Sequence, residues 1–170
     1  HYSQVVVAAE PGVNLYSALS IGGPWRFEGN VLAQADVVVN GHNRPYIIER
    51  PKVIYNQLTR KFVMWFHLDD VNYLLRHVGV ATASSPGGPF TLRHTFQPDG
   101  IGSLDMSLFQ DPLDGQAYFI RSCMNKYTAI SRLTPDYLNS SGIISRSKLF
   151  EGMGLFRLQN GTFYVITSGL

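Results

Sequence analysis

The sequence is poor in cysteine, in charge and in long apolar runs, and each shortage excludes a class of protein. A single cysteine, Cys123, can form neither an internal disulfide nor a multi-thiolate metal site, so packing must stabilise the fold. Fourteen basic and twelve acidic side chains leave a net charge of +2, which is too small and too dispersed for a nucleic-acid interface. The longest wholly apolar runs, 5–9 and 62–66, are too short to cross a bilayer. We therefore expect neither nucleic acid nor membrane as a partner.

A helical repeat of apolar residues is also nearly absent. The chain instead has short runs rich in Val, Ile, Tyr, Phe and Trp, separated about every eight to twelve residues by Gly, Pro, Asn and Asp. This pattern predicts an all-β domain with antiparallel sheets throughout.

Three segments share one plan: an acidic residue, an apolar strand, a polar turn and a second strand rich in aromatics. They begin at Glu49, Asp105 and Glu151 and run to residues 67, 122 and 168. The turns Asp114-Gly115 and Asn160-Gly161 carry residues that tolerate positive φ, so each segment reads as a β-hairpin. We expect the three hairpins to be structurally equivalent.

A second repeat lies between the hairpins. Residues 13–29 resemble residues 78–94, each with a Gly-Gly-Pro turn, and residues 127–138 are a looser copy. The unit is therefore four strands, which is typical of one propeller blade. We expect units at 49–94, 105–138 and 151–170, with residues 1–48 as the remainder of the first. A β-sandwich remains the structural alternative, because it has the same density of strands.

The spacing of the units sets the expected size of the ring. The three acids are 56 and 46 residues apart, so 170 residues hold about three units, fewer than the roughly four that close a propeller. We therefore expect a partial propeller domain over residues 1–170, taken from a longer chain.

Equivalent hairpins would bring the three acids to one end of the central channel, where innermost strands begin. Convergent carboxylates in a concave place are what glycoside hydrolysis needs, because one acid must be protonated while another is ionised. The alternative is that each acid is a turn residue without chemistry.

Five ordered segments resemble glycoside hydrolase family 43, and most closely its exo-β-1,3-galactanase branch. They are IERPKVIYN (48–56), KFVMWFH (61–67), DMSLF (105–109), ISRLTPDYL (130–138) and FYVITSGL (163–170). The resemblance implies a five-bladed β-propeller, of which this chain supplies about three blades, and an inverting, exo-acting hydrolase of β-1,3-galactan. It also implies no metal or organic cofactor, a polysaccharide as the partner, and a monomer at full length. Sequons at Asn139 and Asn160 fit a secreted, extracellular protein.

The resemblance assigns roles to individual residues. Glu151 matches the general acid, and Asp105 matches the carboxylate that tunes and orients that acid. Glu49 matches a residue that accepts hydrogen bonds from the terminal galactose, and Tyr73 matches an aromatic of the same subsite. Two further polar positions of the sugar site are matched by Asn125 and Thr167.

Departures from the family pattern leave two other functions open. The family often continues the acid as Glu-Ala-Pro, whereas this chain has Glu151-Gly152-Met153-Gly154, which predicts a more flexible loop. The usual catalytic base has no match, so we expect the water-positioning group outside residues 1–170. The alternatives are a galactan-binding propeller without catalysis and a family 43 activity on arabinan or xylan.

The remaining candidate residues are expected to be structural. Cys123 is predicted to be a buried core thiol, and His67 a polar cap at a strand end. The aromatics Trp25, Trp65 and Phe90 are predicted to be core side chains between sheets. The segment 111–115 is predicted to be a hairpin turn, because it lacks the length of a calcium loop.

Overall fold

The computed structural model describes residues 11–42, 44–148 and 151–168, which are almost entirely β-strand and turn. The strands are β1 (Gly12–Ser17), β2 (Arg26–Ala33), β3 (Ile47–Asn56), β4 (Lys61–Asp69), β5 (His77–Ala83), β6 (Thr91–Phe96), β7 (Ser103–Gln110), β8 (Ala117–Cys123), β9 (Tyr127–Leu133), β10 (Ser140–Ser147), β11 (Glu151–Arg157) and β12 (Phe163–Ser168). Two single 3₁₀ turns lie at 34–36 and 98–100. In these ranges no helix is long and apolar enough to cross a membrane. The prediction of an all-β chain is confirmed.

The strands form four sheets in which every pair is antiparallel and sequential. The strands β3 to β6 make one four-stranded sheet and β7 to β10 make another, while β1–β2 and β11–β12 are separate hairpins. Two of the sheets therefore have four sequential strands, the number predicted for one unit. Residues 1–48 were assigned to the first unit, but that sheet has its four strands between Ile47 and Phe96. The β1–β2 hairpin has the Gly-Gly-Pro turn of β5–β6 and corresponds to the second half of a preceding unit.

Two apolar clusters hold the first hairpin and the two large sheets together. One lies between β1–β2 and the sheet β3–β6, and includes Leu32, Val37 and Phe66. The other lies between the two four-stranded sheets and is centred on Trp65, whose side chain is fully buried. The Trp65 ring lies 4.9 Å from the Phe119 ring. Each large apolar side chain buried in this way stabilises the fold by about 1.5–3 kcal/mol.

Polar contacts join the same two sheets at the end where the β3–β4 turn lies. The indole Nε1 of Trp65 donates to the Tyr137 carbonyl at 2.8 Å, and Asn56 Nδ2 donates to the Pro135 carbonyl at 2.8 Å. Both acceptors belong to the β9–β10 turn, so loops and core fix the same relative placement of the sheets.

Most of the structural expectations for single residues are confirmed. Trp65 and Phe90 are buried, and Cys123 is a fully buried thiol whose pKa is raised by burial. The prediction for Trp25 is wrong, because its side chain is 56% exposed. Trp25 precedes β2, and the buried residues of that strand, Val31 and Leu32, lie at its other end.

The segment 111–115 is a hairpin turn, as predicted. Leu113 N–H donates to Asp111 Oδ1 at 3.0 Å, and Gly115 N–H donates to the Asp111 carbonyl at 2.9 Å. The other carboxylate oxygen of Asp111 accepts from Arg157 Nη1 at 2.6 Å. This ion pair ties β11 to the turn between β7 and β8.

Candidate functional site

The first strands of the successive units, β3, β7 and β11, are neighbours, and their first residues lie at one common end. The strand β7 contacts both β3 and β11. Arg50 Nε of β3 donates to Asp105 Oδ1 of β7 at 2.9 Å, and Gly152 N–H of β11 donates to Asp105 Oδ2 at 3.1 Å. Asp105 is therefore the centre of the site, with a hydrogen bond to each neighbouring strand.

Each of these strands carries a β-bulge beside its acid. The pairing shifts between Glu49 and Lys52 in β3, between Ser103 and Met106 in β7, and between Glu151 and Gly154 in β11. A bulge places an extra residue on one strand and re-aims the side chains around it. Three bulges at one end thus turn side chains of three strands toward a shared space.

The acids differ in position from the sequence expectation. All three lie within strands rather than ahead of them. Glu49 and Glu151 occupy the last paired position before their bulges, opposite His67 and Ser168, whereas Asp105 lies inside its bulge. Counted from that last paired position, Asp105 therefore lies two residues further along its strand than Glu49 and Glu151 do along theirs. This offset lets the backbone of β11 reach the carboxylate of Asp105.

Arg50 supplies the positive charge among these acids. The hydrogen bond and then the charge of Asp105 raise the pKa of Arg50, burial opposes them by a smaller amount, and the charges of Glu49 and Glu151 add the smallest increases. The guanidinium therefore contacts Asp105 directly and carries a positive charge near Glu49 and Glu151. The neighbouring Lys52 is half-buried, and burial followed by the charge of Arg50 lowers its pKa.

Glu49 is held from two sides. Tyr73 Oη donates to Glu49 Oε1 at 3.1 Å, and His67 Nδ1 lies 3.3 Å from Glu49 Oε2. The hydrogen bond to Glu49 raises the pKa of the Tyr73 hydroxyl. The Glu49 side chain keeps 41% of its surface exposed, so it can still accept hydrogen bonds from a ligand.

The loop that carries Tyr73 is organised by two consecutive carboxylates. Asp69 Oδ1 accepts from the N–H groups of Asp70, Leu75 and Arg76. Asp70 Oδ1 accepts from the N–H groups of Asn72 and Leu74. These side-chain acceptors replace the backbone partners that a loop lacks, and they fix the position of Tyr73.

Asn125 and Thr167 lie at the same end of the sheets but make no hydrogen bond to the three acids in the described part of the chain. Asn125 is in the β8–β9 turn, where Oδ1 accepts from Ser122 Oγ at 3.0 Å. Thr167 is half-buried near the end of β12, opposite the bulge that follows Glu151. Both remain predicted sugar contacts.

The loop after Glu151 is more constrained than its glycines suggest. Gly152 has φ +56°, and its N–H is fixed on Asp105. A Cβ at this position would lie 3.3 Å from Ser168 Oγ. Glycine adopts this positive φ without the strain that a Cβ adds, and the Gly152 N–H anchors the backbone beside Glu151 to Asp105.

Sequence reasoning missed Arg50 and the roles of His67 and Asp69. His67 was expected to be a cap, yet it is 2% exposed and contacts Glu49 and Asp69. The sequence does hold a signal for the contact between His67 and Asp69, because residues two apart on a strand place their side chains on the same face. The signal for Arg50 was its place between an acid and a proline in Glu49-Arg50-Pro51.

The geometry has the elements that acid-assisted bond cleavage requires. Glu151 is exposed, and the residue that follows it, Gly152, donates its N–H to the carboxylate of Asp105, which also accepts from Arg50. A second exposed carboxylate, Glu49, carries a phenol donor and can orient a polyol. Such a group of carboxylates in different environments can separate the roles of proton donor and hydrogen-bond acceptor.

Comparison with known proteins finds relatives among solved structures. No family model matches the sequence, and no curated protein matches it. An exo-β-1,3-galactanase from Phanerochaete chrysosporium, solved with galactose, is 34% identical over 94% of this chain and 38% of its own, with a TM-score of 0.85. A variant of the same enzyme was solved with β-1,3-galactotriose.

Two further structures give the same result. An exo-β-1,3-galactanase from Clostridium thermocellum is 32% identical over 94% of this chain and 37% of its own, with a TM-score of 0.84. A GH43 β-1,3-galactosidase, solved with galactodeoxynojirimycin, is 31% identical over 95% of this chain and 61% of its own, with a TM-score of 0.81. The chain thus spans between 37% and 61% of the length of these relatives.

Proposed function

Because this chain belongs to glycoside hydrolase family 43, in its exo-β-1,3-galactanase branch, we propose that the protein hydrolyses β-1,3-linked galactan. It acts from the non-reducing end, with inversion, and releases galactose. Two relatives support this substrate, since one was solved with galactose and one with galactodeoxynojirimycin.

We propose that the complete fold is a five-bladed β-propeller, to which this chain contributes about three blades. The succession of a hairpin, two four-stranded sheets and a second hairpin supports this proposal, because it equals three four-strand units. The lengths of the relatives support it as well. We also propose that the complete protein is secreted and monomeric.

In the proposed reaction, Glu151 donates its proton to the departing glycosidic oxygen. Asp105, held by Arg50 and by the Gly152 N–H, orients the acid and stays ionised beside it. Glu49 and Tyr73 bind hydroxyls of the terminal galactose, while water attacks the anomeric carbon from the opposite face. The group that positions this water lies outside residues 1–170.

The observation that carries the proposal is the joint anchoring of Asp105 by two neighbouring strands. Its carboxylate is 20% exposed and is bonded to Arg50 of β3 and Gly152 of β11. Such an arrangement fixes Glu151 relative to the sugar-binding residues of β3. A set of unrelated turn carboxylates has no reason to be cross-linked in this way.

The direct test is Glu151→Gln in the intact protein, assayed by galactose release from β-1,3-galactan. We expect the rate to fall by about 10²–10⁴-fold, because the amide cannot donate the proton that the leaving group needs. Glu28→Gln, a change of the same type in the exposed first half of β2, is the control and should keep the rate.

The outcomes of this test separate the candidate functions. An unchanged rate in Glu151→Gln contradicts the assignment of the acid. Calorimetric binding of galactan without product from the unmodified protein would identify a binding propeller. Activity on arabinan or xylan but not on galactan would show that β-1,3-galactan is not the substrate.

A further inference from the structure

A buried histidine connects the sugar-facing carboxylate Glu49 to a second carboxylate inside the protein. His67 Nδ1 lies 3.3 Å from Glu49 Oε2, and His67 Nε2 lies 2.9 Å from Asp69 Oδ2. The side chains of His67 and Asp69 are 2% and 0% exposed, while that of Glu49 is 41% exposed. The three groups form a chain that runs from the interior to the open site.

The inner end of this chain is an acceptor. Asp69 Oδ1 accepts three backbone N–H groups, from Asp70, Leu75 and Arg76, at 2.9–3.1 Å. Hydrogen bonds of this kind favour the charged form of a carboxylate. With Asp69 ionised, His67 Nε2 carries a hydrogen and donates it to Asp69 Oδ2.

The hydrogen on Nε2 determines what the other ring nitrogen can do. A neutral imidazole with its hydrogen on Nε2 has a lone pair on Nδ1. This lone pair would point at a lone pair of the ionised Glu49 carboxylate, and two acceptors repel each other. The contact between His67 and Glu49 therefore contains one proton, either on Nδ1 or on Glu49.

The surrounding charges favour Nδ1 as the position of this proton. A buried carboxylate such as Asp69 needs a positive partner. The other histidine beside Asp69 is His77, and burial lowers its pKa although the charge of Asp69 works in the opposite direction. Glu49 also accepts from Tyr73 Oη, a second donor that stabilises its charged form.

We propose that His67 is a positioning residue that is doubly protonated between Asp69 and Glu49 and presents Glu49 to the sugar as an ionised acceptor. This inference rests on the proposed function, in which Glu49 binds galactose hydroxyls. His67 does not touch the substrate. It acts by fixing the orientation and charge of Glu49.

Two substitutions separate the two contacts of His67. The amide nitrogen of asparagine can occupy the place of Nδ1, and that of glutamine the place of Nε2. Galactose binding to both variants is measured by calorimetry in a Glu151→Gln background. We expect His67→Gln to weaken binding about tenfold, because Glu49 loses a charge-assisted donor. His67→Asn should stay within about threefold of the parent. Equal weakening in both variants, or none in either, overturns the proposal.

Nitrogen NMR of the histidine rings tests the proton itself without a core substitution. In the intact protein near pH 6 we expect both ring nitrogens of His67 to carry hydrogen, and a hydrogen on Nε2 alone overturns the inference. Galactose release from β-1,3-galactan by the same protein tests the proposed function separately. Failure of galactose to bind the Glu151→Gln protein refutes the sugar-binding part, whether or not galactan is cleaved.

Discussion

At the scale of single residues, the arginine among the acids explains how three carboxylates can share one place. Arg50 has φ +54°, a conformation that is unfavourable for a residue with a long side chain. Such strain costs about 1–3 kcal/mol and persists where the surrounding structure enforces it. Here the bulge of β3 enforces it, and the result is a guanidinium 2.9 Å from Asp105.

Arg50→Ala should lower the rate of galactan hydrolysis by about tenfold. The change removes the donor to Asp105 and the guanidinium charge near the other two acids, and the half-exposed position of Arg50 limits the loss. Arg60→Ala is a matched control, because Arg60 also has φ +54° and is exposed in the β3–β4 turn at the other end of the hairpin. Steady-state kinetics of both variants would measure the effect. Equal rates in the two variants would show that Arg50 has no role.

At the scale of strands, the bulges convert a regular sheet into a site. An unbroken strand alternates its side chains between two faces, so adjacent residues cannot serve the same space. The bulges in β3, β7 and β11 break this alternation at the common end of the sheets. In the bulge of β11, Gly152 adopts a φ of +56° without the cost that a residue with a Cβ, such as Arg50 in β3, has at this place.

The glycines of β11 provide a comparison within one strand. Gly152→Ala should destabilise the protein by about 1 kcal/mol and lower activity, because the positive φ becomes strained and the anchor beside Glu151 shifts. Gly154→Ala is the control, since a Cβ there meets no atom within 4 Å and φ is not positive. Urea unfolding and galactose release would be measured for both. A Gly152→Ala protein with unchanged stability and rate would show that the bulge tolerates a side chain.

At the scale of the whole molecule, one buried arginine fixes the connection between the two large sheets. Arg121 of β8 is fully buried, and Nη2 donates to Asp99 Oδ2 at 2.8 Å. Asp99 lies between β6 and β7 and also accepts from Ser131 and Ser140. Burial raises the pKa of Asp99, but the hydrogen bonds from Ser140, Ser131 and Arg121 outweigh burial and lower it.

The lowered pKa of Asp99 predicts a pH-dependent contribution to stability. The contribution is present above the unfolded-state pKa of about 4 and is lost as pH falls through the lower folded-state pKa. Asp99→Asn should therefore destabilise the protein by about 3 kcal/mol at neutral pH, because Arg121 loses its counter-charge. The difference from the unmodified protein should narrow below about pH 4.

Urea unfolding of the intact protein at several pH values checks this prediction. Asp36→Asn, at an exposed aspartate in the turn after β2, is the control for the loss of one charge. A stability difference for Asp99→Asn that stays constant with pH would contradict the role of the Asp99 charge.

Much of the architecture could be predicted because its causes are local. Gly-Gly-Pro, Asp-Gly and Asn-Gly turns and runs of apolar and aromatic residues place the hairpins, and the repeat gives four strands per unit. Trp65 was predicted to be buried because alternate residues of a strand usually face the core between sheets. The same reasoning was wrong for Trp25, because exposure there depends on which part of β2 packs on its neighbour.

The site could be predicted only in part. Glu49, Asp105 and Glu151 were found from their equivalent places in the repeat, and the structure brings them together around Arg50. Their offset in register could not be predicted, because a bulge adds a residue without a distinct sequence pattern.

The sequence by itself therefore determined the strands, the turns, the repeat and the identity of the acids, since these depend on residues close together in the chain. The tertiary structure decided which charges meet. The contact of Arg50 with Asp105 joins residues 55 positions apart, and that of Gly152 with Asp105 joins residues 47 apart. Such contacts depend on how whole sheets pack against one another. The packing sets the distances between the charged and polar groups, and these distances determine the strength of their hydrogen bonds and electrostatic interactions.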